Sequence, residues 1–386
     1  MKKLGFVLKL VACLVLALAS GQALAQEVFE TKAAQAILVD AKSGNVFFEK
    51  NADELIPPAS MSKLMTMTMV FEALKAEKLK LDQEFVISED AWRRGGSSSG
   101  GSTMYAELNS RVKLSDLMRG AMIQSANDAC IAIAEGIAGS EAAFSSRMTQ
   151  RARELGLQKA VFRNSTGLPD PEHLMSVRDL TILARNIILN YPEYYKIYSE
   201  REFTWNNILQ KNRNPLLTEY PGADGMKTGY TKEAGYGLVG SAVRDGRRLI
   251  IVVAGLTTIN DRKQEAQKLL DWGFRQFTTI GVYAAGDTVS KARVWGGAEN
   301  WVELITKQDV NLALSPKEQD EIQVKLNYTG PLMAPVEAGQ QVGTVRFLVD
   351  GKTIAEVPVE TASAVEAVDS MWSRALDSLM IMALGG

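Results

Sequence analysis

Histidine and cysteine are almost absent from this sequence. Its 386 residues include one histidine, His173, and two cysteines, Cys13 and Cys130. A zinc site built from cysteine and histidine ligands is therefore nearly excluded, and a serine-histidine-aspartate triad would have to use His173. Because His173 stands alone in a loop, a structural role is expected for it. Cys130 lies in an apolar helical run and is predicted to be a buried small hydrophobe.

A large net charge is also lacking. The formal net charge is −2, with 46% hydrophobic and 23% charged residues. This composition indicates neither disorder nor a polytopic membrane protein. Without a strong positive charge, nucleic acid is not expected as a partner.

One apolar run stands out, at the N-terminus. Lys2 and Lys3 precede it, and it ends in Ala-Leu-Ala at residues 23–25. This layout predicts a cleaved signal peptide over residues 1–25 and export to the periplasm. The alternative is a lipoprotein signal in which Cys13 carries lipid, although the apolar run continues past Cys13.

The rest of the chain predicts an α+β fold. Residues 35–50 read as two strands with a turn at 42–45, and three further strands follow from residue 225. The region between them reads as helices, with Ser115-Asp116 as the cap of a helix reaching about residue 139 and a mobile Gly/Ser-rich loop over 93–104. The pattern predicts an antiparallel sheet with a helical insertion, within a domain spanning residues 26–282.

The C-terminal third differs in pattern. Short alternating runs separated by Gly, Pro and Asp predict a small all-β domain over residues 283–362. Residues 363–386 place Val365, Trp372 and Leu379 on one helical face, which predicts an amphipathic helix on a membrane surface. The alternative is a helix that packs on the β domain or on a partner, since the polar face is mainly acidic.

The pattern Ser-x-x-Lys occurs twice. At Ser110 and Lys113 it lies in an alternating stretch, where residues three apart point to opposite faces. At Ser60 and Lys63 it opens a predicted helix, so that both side chains lie on one face. A serine beside a neutral lysine is an activated nucleophile that needs no histidine. Neutrality requires a lowered lysine pKa, which burial, the helix N-terminus and a second cation would favour.

Two further motifs follow, and with Ser60 and Lys63 they complete, in order, the three-part signature of acyl-serine enzymes. Ser125-Ala-Asn127 lies in the predicted helical region, and Lys227-Thr228-Gly229 lies on a predicted strand. With PASMSKLMT, GGSTM, QSANDAC, DGMKTGYT and LLDWGF, the chain resembles low-molecular-weight penicillin-binding proteins that act as D-alanyl-D-alanine carboxypeptidases. The resemblance runs from about residue 30 to the C-terminus.

The resemblance implies a penicillin-binding, β-lactamase-like transpeptidase domain and a set of catalytic roles. Ser60 would attack the carbonyl between two D-alanines, and Lys63 would be the general base. Ser125 would pass the proton to the leaving amine. Asn127 would hold a substrate amide. No metal and no cofactor are implied.

The resemblance also implies the carboxylate and oxyanion sites. Lys227, as a cation, and Thr228 would bind the substrate carboxylate, and Gly229 would leave room for the substrate backbone. The N–H groups of Ser60 and Tyr230 would form the oxyanion hole. Tyr230 stands where some relatives have histidine. Two arginines complete the implied site: Arg262 on the terminal carboxylate and Arg213 nearby.

Peptidoglycan stem peptides, β-lactams as covalent inhibitors and a membrane surface are the partners implied. A D,D-endopeptidase acting on cross-linked peptidoglycan is an alternative with the same motifs. A class A β-lactamase would need a carboxylate for deacylation, with Glu172 as the candidate. A non-catalytic peptidoglycan-binding module is a third alternative.

Overall fold

The structure is a computed structural model that describes residues 29–368. The predicted signal peptide, Cys13 and most of the predicted C-terminal helix lie outside the described residues. The strands are β1 Gln35–Asp40, β2 Val46–Lys50, β3 Glu84–Val86, β4 Arg111–Lys113, β5 Glu202–Trp205, β6 Ile208–Lys211, β7 Ala223–Thr231, β8 Gly235–Arg244, β9 Arg247–Leu256, β10 Thr278–Tyr283, β11 Thr288–Trp295, β12 Trp301–Thr306, β13 Val310–Leu314, β14 Gln323–Tyr328, β15 Leu332–Met333, β16 Gln341–Val349 and β17 Lys352–Thr361.

The helices lie mostly between β2 and β10. They are α1 Lys63–Lys75, α2 Leu114–Arg119, α3 Asn127–Ala138, α4 Glu141–Glu154, α5 Val177–Asn190, α6 Pro192–Tyr195, α7 Leu216–Glu219, α8 Ile259–Gln276 and α9 Pro316–Glu321. Each helix described within residues 29–368 is too short or too polar to span a bilayer.

Distant parts of the chain form the central sheet. Its order is β2-β1-β9-β8-β7, with every neighbouring pair antiparallel. Strand β1 is buried along its whole length, because α5 and α8 pack against the sheet. The predicted antiparallel sheet with a helical insertion is therefore confirmed. Strand β7 is at the edge of this sheet.

Helix α1 lies in the centre of the domain, as its nearly uniform apolar sequence predicts. Most of its side chains are buried, including Leu64, Met65 and Phe71. The first residue of this helix is Lys63, and a short 3₁₀ turn, Ala59–Ser62, precedes it. The hydrophobic core thus fixes the position of the Ser-x-x-Lys motif.

The single helix predicted from Ser115 to about residue 139 is wrong. Helix α2 and a π-helical turn, Gly120–Gln124, end at Ser125, which has a left-handed backbone with φ +67°. A left-handed residue cannot continue a right-handed helix, so α3 starts anew at Asn127. Lys113, and not Ser115, precedes the first helical residue. The break places the Ser125-Ala-Asn127 motif on a turn.

The Gly/Ser-rich segment 93–104, predicted as a mobile loop, includes short helical turns. A π-helical turn, Ala91–Gly95, overlaps its start, and a 3₁₀ turn, Ser97–Ser99, follows. The buried carboxylate of Asp128 accepts hydrogen bonds from the Thr103 hydroxyl and from the N–H groups of Met104 and Ala106. Asp128 therefore anchors the end of this segment to the start of α3.

A separate all-β region follows α8, as predicted. Its six-stranded sheet has the order β14-β16-β17-β12-β11-β15, and β10 pairs with β13. Its own core includes Val345 and Phe347. Residues 363–368 are not helical, since Val365 forms a bridge with Val336 and packs in this core. The predicted helix is therefore wrong over 363–368.

Candidate active site

Ser60 and Lys63 are in direct contact. Ser60 lies in the 3₁₀ turn before α1, and the Nζ of Lys63 is 3.0 Å from the Ser60 Oγ. One turn of helix separates the two residues, so the amine returns to the side of the hydroxyl. The predicted contact between the Lys63 amine and the Ser60 hydroxyl is therefore present.

The surroundings of Lys63 fit a neutral amine. Besides Ser60, Nζ donates to the Asn127 Oδ1 at 2.8 Å and to the backbone oxygen of Thr166. These two carbonyl oxygens can only accept hydrogen bonds, so they use both N–H groups of a neutral amine. The lone pair then remains for the Ser60 hydroxyl. This arrangement allows Lys63 to take the proton of Ser60.

Burial supports the same protonation state. Lys63 is 1% exposed, and burial lowers the pKa of its amine to about 8, helped by the positive charge of Arg213. The acidic groups nearby raise this pKa but do not outweigh burial. At pH 7, one unit below this pKa, about one tenth of the Lys63 amine is therefore neutral.

The catalytic cavity opens above Ser60 and has a volume of about 560 Å³. The Ser125 Oγ, which is buried, faces this cavity and has no hydrogen-bond partner among the described residues. A hydroxyl without a partner is free to donate to a substrate atom or accept from it. The cavity is lined by Ser60, Gly100, Gly101, Ser102, Ser125, Arg213, Thr228, Gly229, Tyr230, Tyr236, Ile259 and Arg262.

Lys227 lies behind the cavity wall. It is 2% exposed, and its Nζ donates to the backbone oxygen of Thr228 at 3.0 Å. Burial lowers the pKa of Lys227 well below its usual range, and the neighbouring Lys63 lowers it further. Two adjacent buried amines titrate as a pair. Burial and the second amine thus work against the cationic form expected for Lys227, which a bound anion would favour, whereas Thr228 lines the cavity.

Gly229 lines the cavity and also has a packing role, in addition to the role expected for it. A Cβ at this position would lie 3.0 Å from the Pro58 oxygen, 3.0 Å from the Met61 Cγ and 3.2 Å from the Ala59 Cβ. Gly229 is paired with Gly237 on β8, where a Cβ would meet the end of the Met61 side chain. The two glycines let the turn that carries Ser60 pack closely on the sheet.

Two arginines mark one end of the cavity. Arg262 is 9% exposed, with its guanidinium 5.6 Å from the centre of the Tyr236 ring and its Nε without a hydrogen-bond partner among the described residues. Burial lowers the pKa of Arg262, and Arg213 lowers it further. The ring of Tyr230 stacks on Tyr236 at 4.2 Å between centres. Two arginines at one cavity form a site for a carboxylate.

Comparison with known proteins identifies the family. Residues 21–258 match the profile described as D-alanyl-D-alanine carboxypeptidase, and residues 277–367 match the C-terminal domain of penicillin-binding protein 5. The chain belongs to the D-alanyl-D-alanine carboxypeptidase family. The family, the α+β fold and the enzyme activity predicted from the sequence are thereby confirmed.

Relatives match nearly the whole carboxypeptidase. The chain is 40% identical over 348 residues to the D-alanyl-D-alanine carboxypeptidase DacC of Escherichia coli. The aligned region covers 89% of this chain and 87% of DacC. The solved structure of penicillin-binding protein 5 from Haemophilus influenzae has a TM-score of 0.77 at 38% identity, covering 88% of this chain and 98% of that one. Penicillin-binding protein D2 from Listeria monocytogenes, solved in an ampicillin-bound form, has a TM-score of 0.55 at 29% identity, covering 64% and 99%.

Several residues of the carboxypeptidase site were missed by sequence reasoning. Thr166 binds Lys63 through its backbone oxygen, and no side-chain pattern signals such a contact. Glu141 holds the neighbouring Ser165 by accepting from its N–H and hydroxyl, and it also accepts from Arg94. Asp128 was recognisable only as the residue after the Ser-x-Asn motif.

Three residues considered in the sequence lie outside the catalytic contacts of the carboxypeptidase. His173 is buried against Phe162, and its Nδ1 accepts from the Arg163 N–H at 3.4 Å, which agrees with a structural role. Burial lowers the pKa of His173 to about 4, so the ring is neutral at pH 7. Glu172 is exposed and pairs with Arg163 at 3.0 Å. Cys130 is buried in the core, as predicted.

Proposed function

We propose that this carboxypeptidase removes the terminal D-alanine of peptidoglycan pentapeptide stems through an acyl-enzyme on Ser60. Ser60 attacks the carbonyl between the two D-alanines as Lys63 Nζ accepts its proton. Ser125 then donates a proton to the departing amine. Lys63 passes the proton that it took from Ser60 to Ser125. Water then hydrolyses the ester. The observation that carries this proposal is the contact of 3.0 Å between the Lys63 Nζ and the Ser60 Oγ.

In this proposal, the substrate carboxylate is held at the end of the cavity that Arg262 lines. Arg262 and Thr228 bind it, Arg213 adds positive charge, and the bound anion favours the cationic form of Lys227. Asn127 holds the substrate amide, and the N–H groups of Ser60 and Tyr230 stabilise the oxyanion, each worth about 3 kcal/mol. The edge position of β7 supports this, because one side of an edge strand keeps unpaired N–H groups.

β-Lactams acylate Ser60 as substrate analogues in this proposal. The ampicillin-bound form of the Listeria relative supports it. Glu172 is exposed and pairs with Arg163, so it does not supply a carboxylate for rapid deacylation. The acyl-enzyme formed with penicillin is therefore expected to persist.

The test is mass spectrometry of a pentapeptide muropeptide digest. The wild-type protein should release D-alanine and bind a fluorescent penicillin, and Ser60→Ala should do neither. Ser110→Ala, which alters the other Ser-x-x-Lys motif, is the matched control and should keep both activities. Cleavage of cross-linked dimers without D-alanine release would instead show a D,D-endopeptidase. No penicillin labelling of the wild-type protein would show a non-catalytic module.

We further propose that residues 1–25 direct export to the periplasm and that the C-terminal segment attaches the enzyme to the outer face of the cytoplasmic membrane. The support is the sequence spacing of Trp372, Leu379 and Ala383 at helical intervals. A chain ending at residue 368 should move from the membrane to the soluble fraction of cells. Unchanged membrane association of that chain would contradict the anchor.

A further inference from the structure

Four large side chains share the outer face of the C-terminal β region, near one edge of its six-stranded sheet. Val294 on β11 is buried in the core, so its neighbours Arg293 and Trp295 point outwards, because successive residues of a strand alternate between faces. Trp301 on β12 lies opposite Arg293, and Met333 on β15 lies opposite Trp295. Arg293, Trp295, Trp301 and Met333 together form the outer patch.

The outer patch is exposed and largely apolar. Trp301 is 54% exposed and Met333 is 60% exposed. The guanidinium of Arg293 lies 5.9 Å from the centre of the Trp301 ring. Beside the patch, Lys291 and Glu303 form an ion pair at 3.3 Å, so their charges offset each other. Large apolar side chains that are exposed together indicate an interaction surface.

The C-terminal segment leaves the β region beside this patch. The Val368 N–H donates to the Gly296 oxygen at 2.8 Å, and Gly296 is the residue after β11, whose last residue belongs to the patch. Ala367 forms a bridge with Gly297 in the same connection. Residues 369–386, which carry the proposed membrane attachment, therefore start next to the outer patch.

We propose that the outer patch binds the membrane surface, as a second contact beside the C-terminal attachment. The inference rests on that proposed attachment, because a membrane-bound segment starting at residue 369 holds the adjoining patch close to the lipid. Tryptophan combines an apolar ring with an N–H donor and is favoured at the boundary between headgroups and acyl chains. Met333 adds apolar area, and Arg293 brings a positive charge to the lipid phosphates. Two linked contacts bind more tightly than one, since the second forms at a high effective concentration.

The experiment measures sedimentation of the mature chain, residues 26–386, with vesicles of phosphatidylethanolamine and phosphatidylglycerol. The double variant Trp301→Gln with Met333→Gln should need roughly tenfold more lipid for half-maximal binding, because neither position then buries apolar area in the interface. The matched control is Val324→Gln, a 45% exposed position on β14 at the opposite edge of the same sheet, and it should bind like the wild type. Trp301→Phe keeps an aromatic ring and should bind nearly as well as the wild type.

Vesicles with brominated acyl chains test the contact directly, since bromine quenches tryptophan fluorescence at short range. The bound wild-type protein should be quenched, and bound Trp301→Phe should be quenched less.

Three outcomes would overturn the inference. Equal vesicle affinity of the wild type and the double variant, as expected if a partner protein covers the patch, would overturn the patch contact and leave the C-terminal attachment in place. Tighter binding by the double variant would also overturn it, and would show that residues 369–386 pack on the patch. A wild-type chain that binds no vesicles would overturn both the attachment and the patch contact. Acylation by fluorescent penicillin should be equal in all variants, because the outer patch does not line the catalytic cavity.

Discussion

Gly229→Ala should slow acylation by disturbing the turn that carries Ser60. The added Cβ would lie 3.0 Å from the Pro58 oxygen and 3.0 Å from the Met61 Cγ. These contacts are short. The Pro58 oxygen is a backbone atom and cannot rotate away, so the turn must move by a few tenths of an ångström. Overpacking of this kind costs about 1 to 3 kcal/mol. We expect penicillin acylation to fall roughly 10- to 100-fold, since small misplacements of a nucleophile are costly.

Gly237→Ala is the matched control on the facing strand. Its Cβ would meet the Met61 Cε at 2.6 Å, which is the end of a flexible side chain. Methionine can change rotamer, so acylation should stay within about threefold of wild type. The assays are the acylation rate with fluorescent penicillin and thermal unfolding, where Gly229→Ala should lower Tm by several degrees. A Gly229→Ala variant with unchanged Tm but weaker peptide binding would refute the packing role and leave only that of room for substrate.

Two further predictions concern Lys63. Because the base must be neutral and burial lowers its pKa to about 8, the acylation rate should rise with pH up to about 8 and then level off. A rate independent of pH between about 6 and 9 would contradict a lysine base. Glu141→Gln should lower acylation about tenfold, because the amide replaces the carboxylate that accepts from Ser165 and Arg94 and so loosens the position of Thr166. The measurement is again the acylation rate with fluorescent penicillin, and Glu154→Gln, at an exposed position, is the control. Equal acylation rates for the two variants would show that Glu141 does not position the site.

The motifs were predictable because their chemistry resides in side chains at short spacing. Ser60 and Lys63 needed only one turn of helix to meet. The break at Ser125 was not predicted, since apolar residues recur across residues 115–139 and the left-handed turn has contacts from outside this stretch. Asn127, for example, donates its N–H to the Ser102 oxygen.

The other features that the sequence did not predict depend on backbone contacts and on packing between distant segments. Thr166 acts through a carbonyl that every residue possesses, so its identity carries no signal. Val365 fits a helical face as well as a strand, and its burial in the β core beside Val336 decides between the two. The packing role of Gly229 was not predictable, because it depends on the position of Pro58 in the folded chain.

The order of the central sheet governs when activity can arise during synthesis. Strand β1 pairs with β9, so the N-terminal hairpin has no partner until residue 256 has been made. Lys227 and Thr228 likewise arrive more than a hundred residues after Ser60. Such non-local pairing slows folding. A nascent chain that already carries the nucleophile is therefore expected to be inert, and carboxypeptidase activity begins only once the last strands close the sheet.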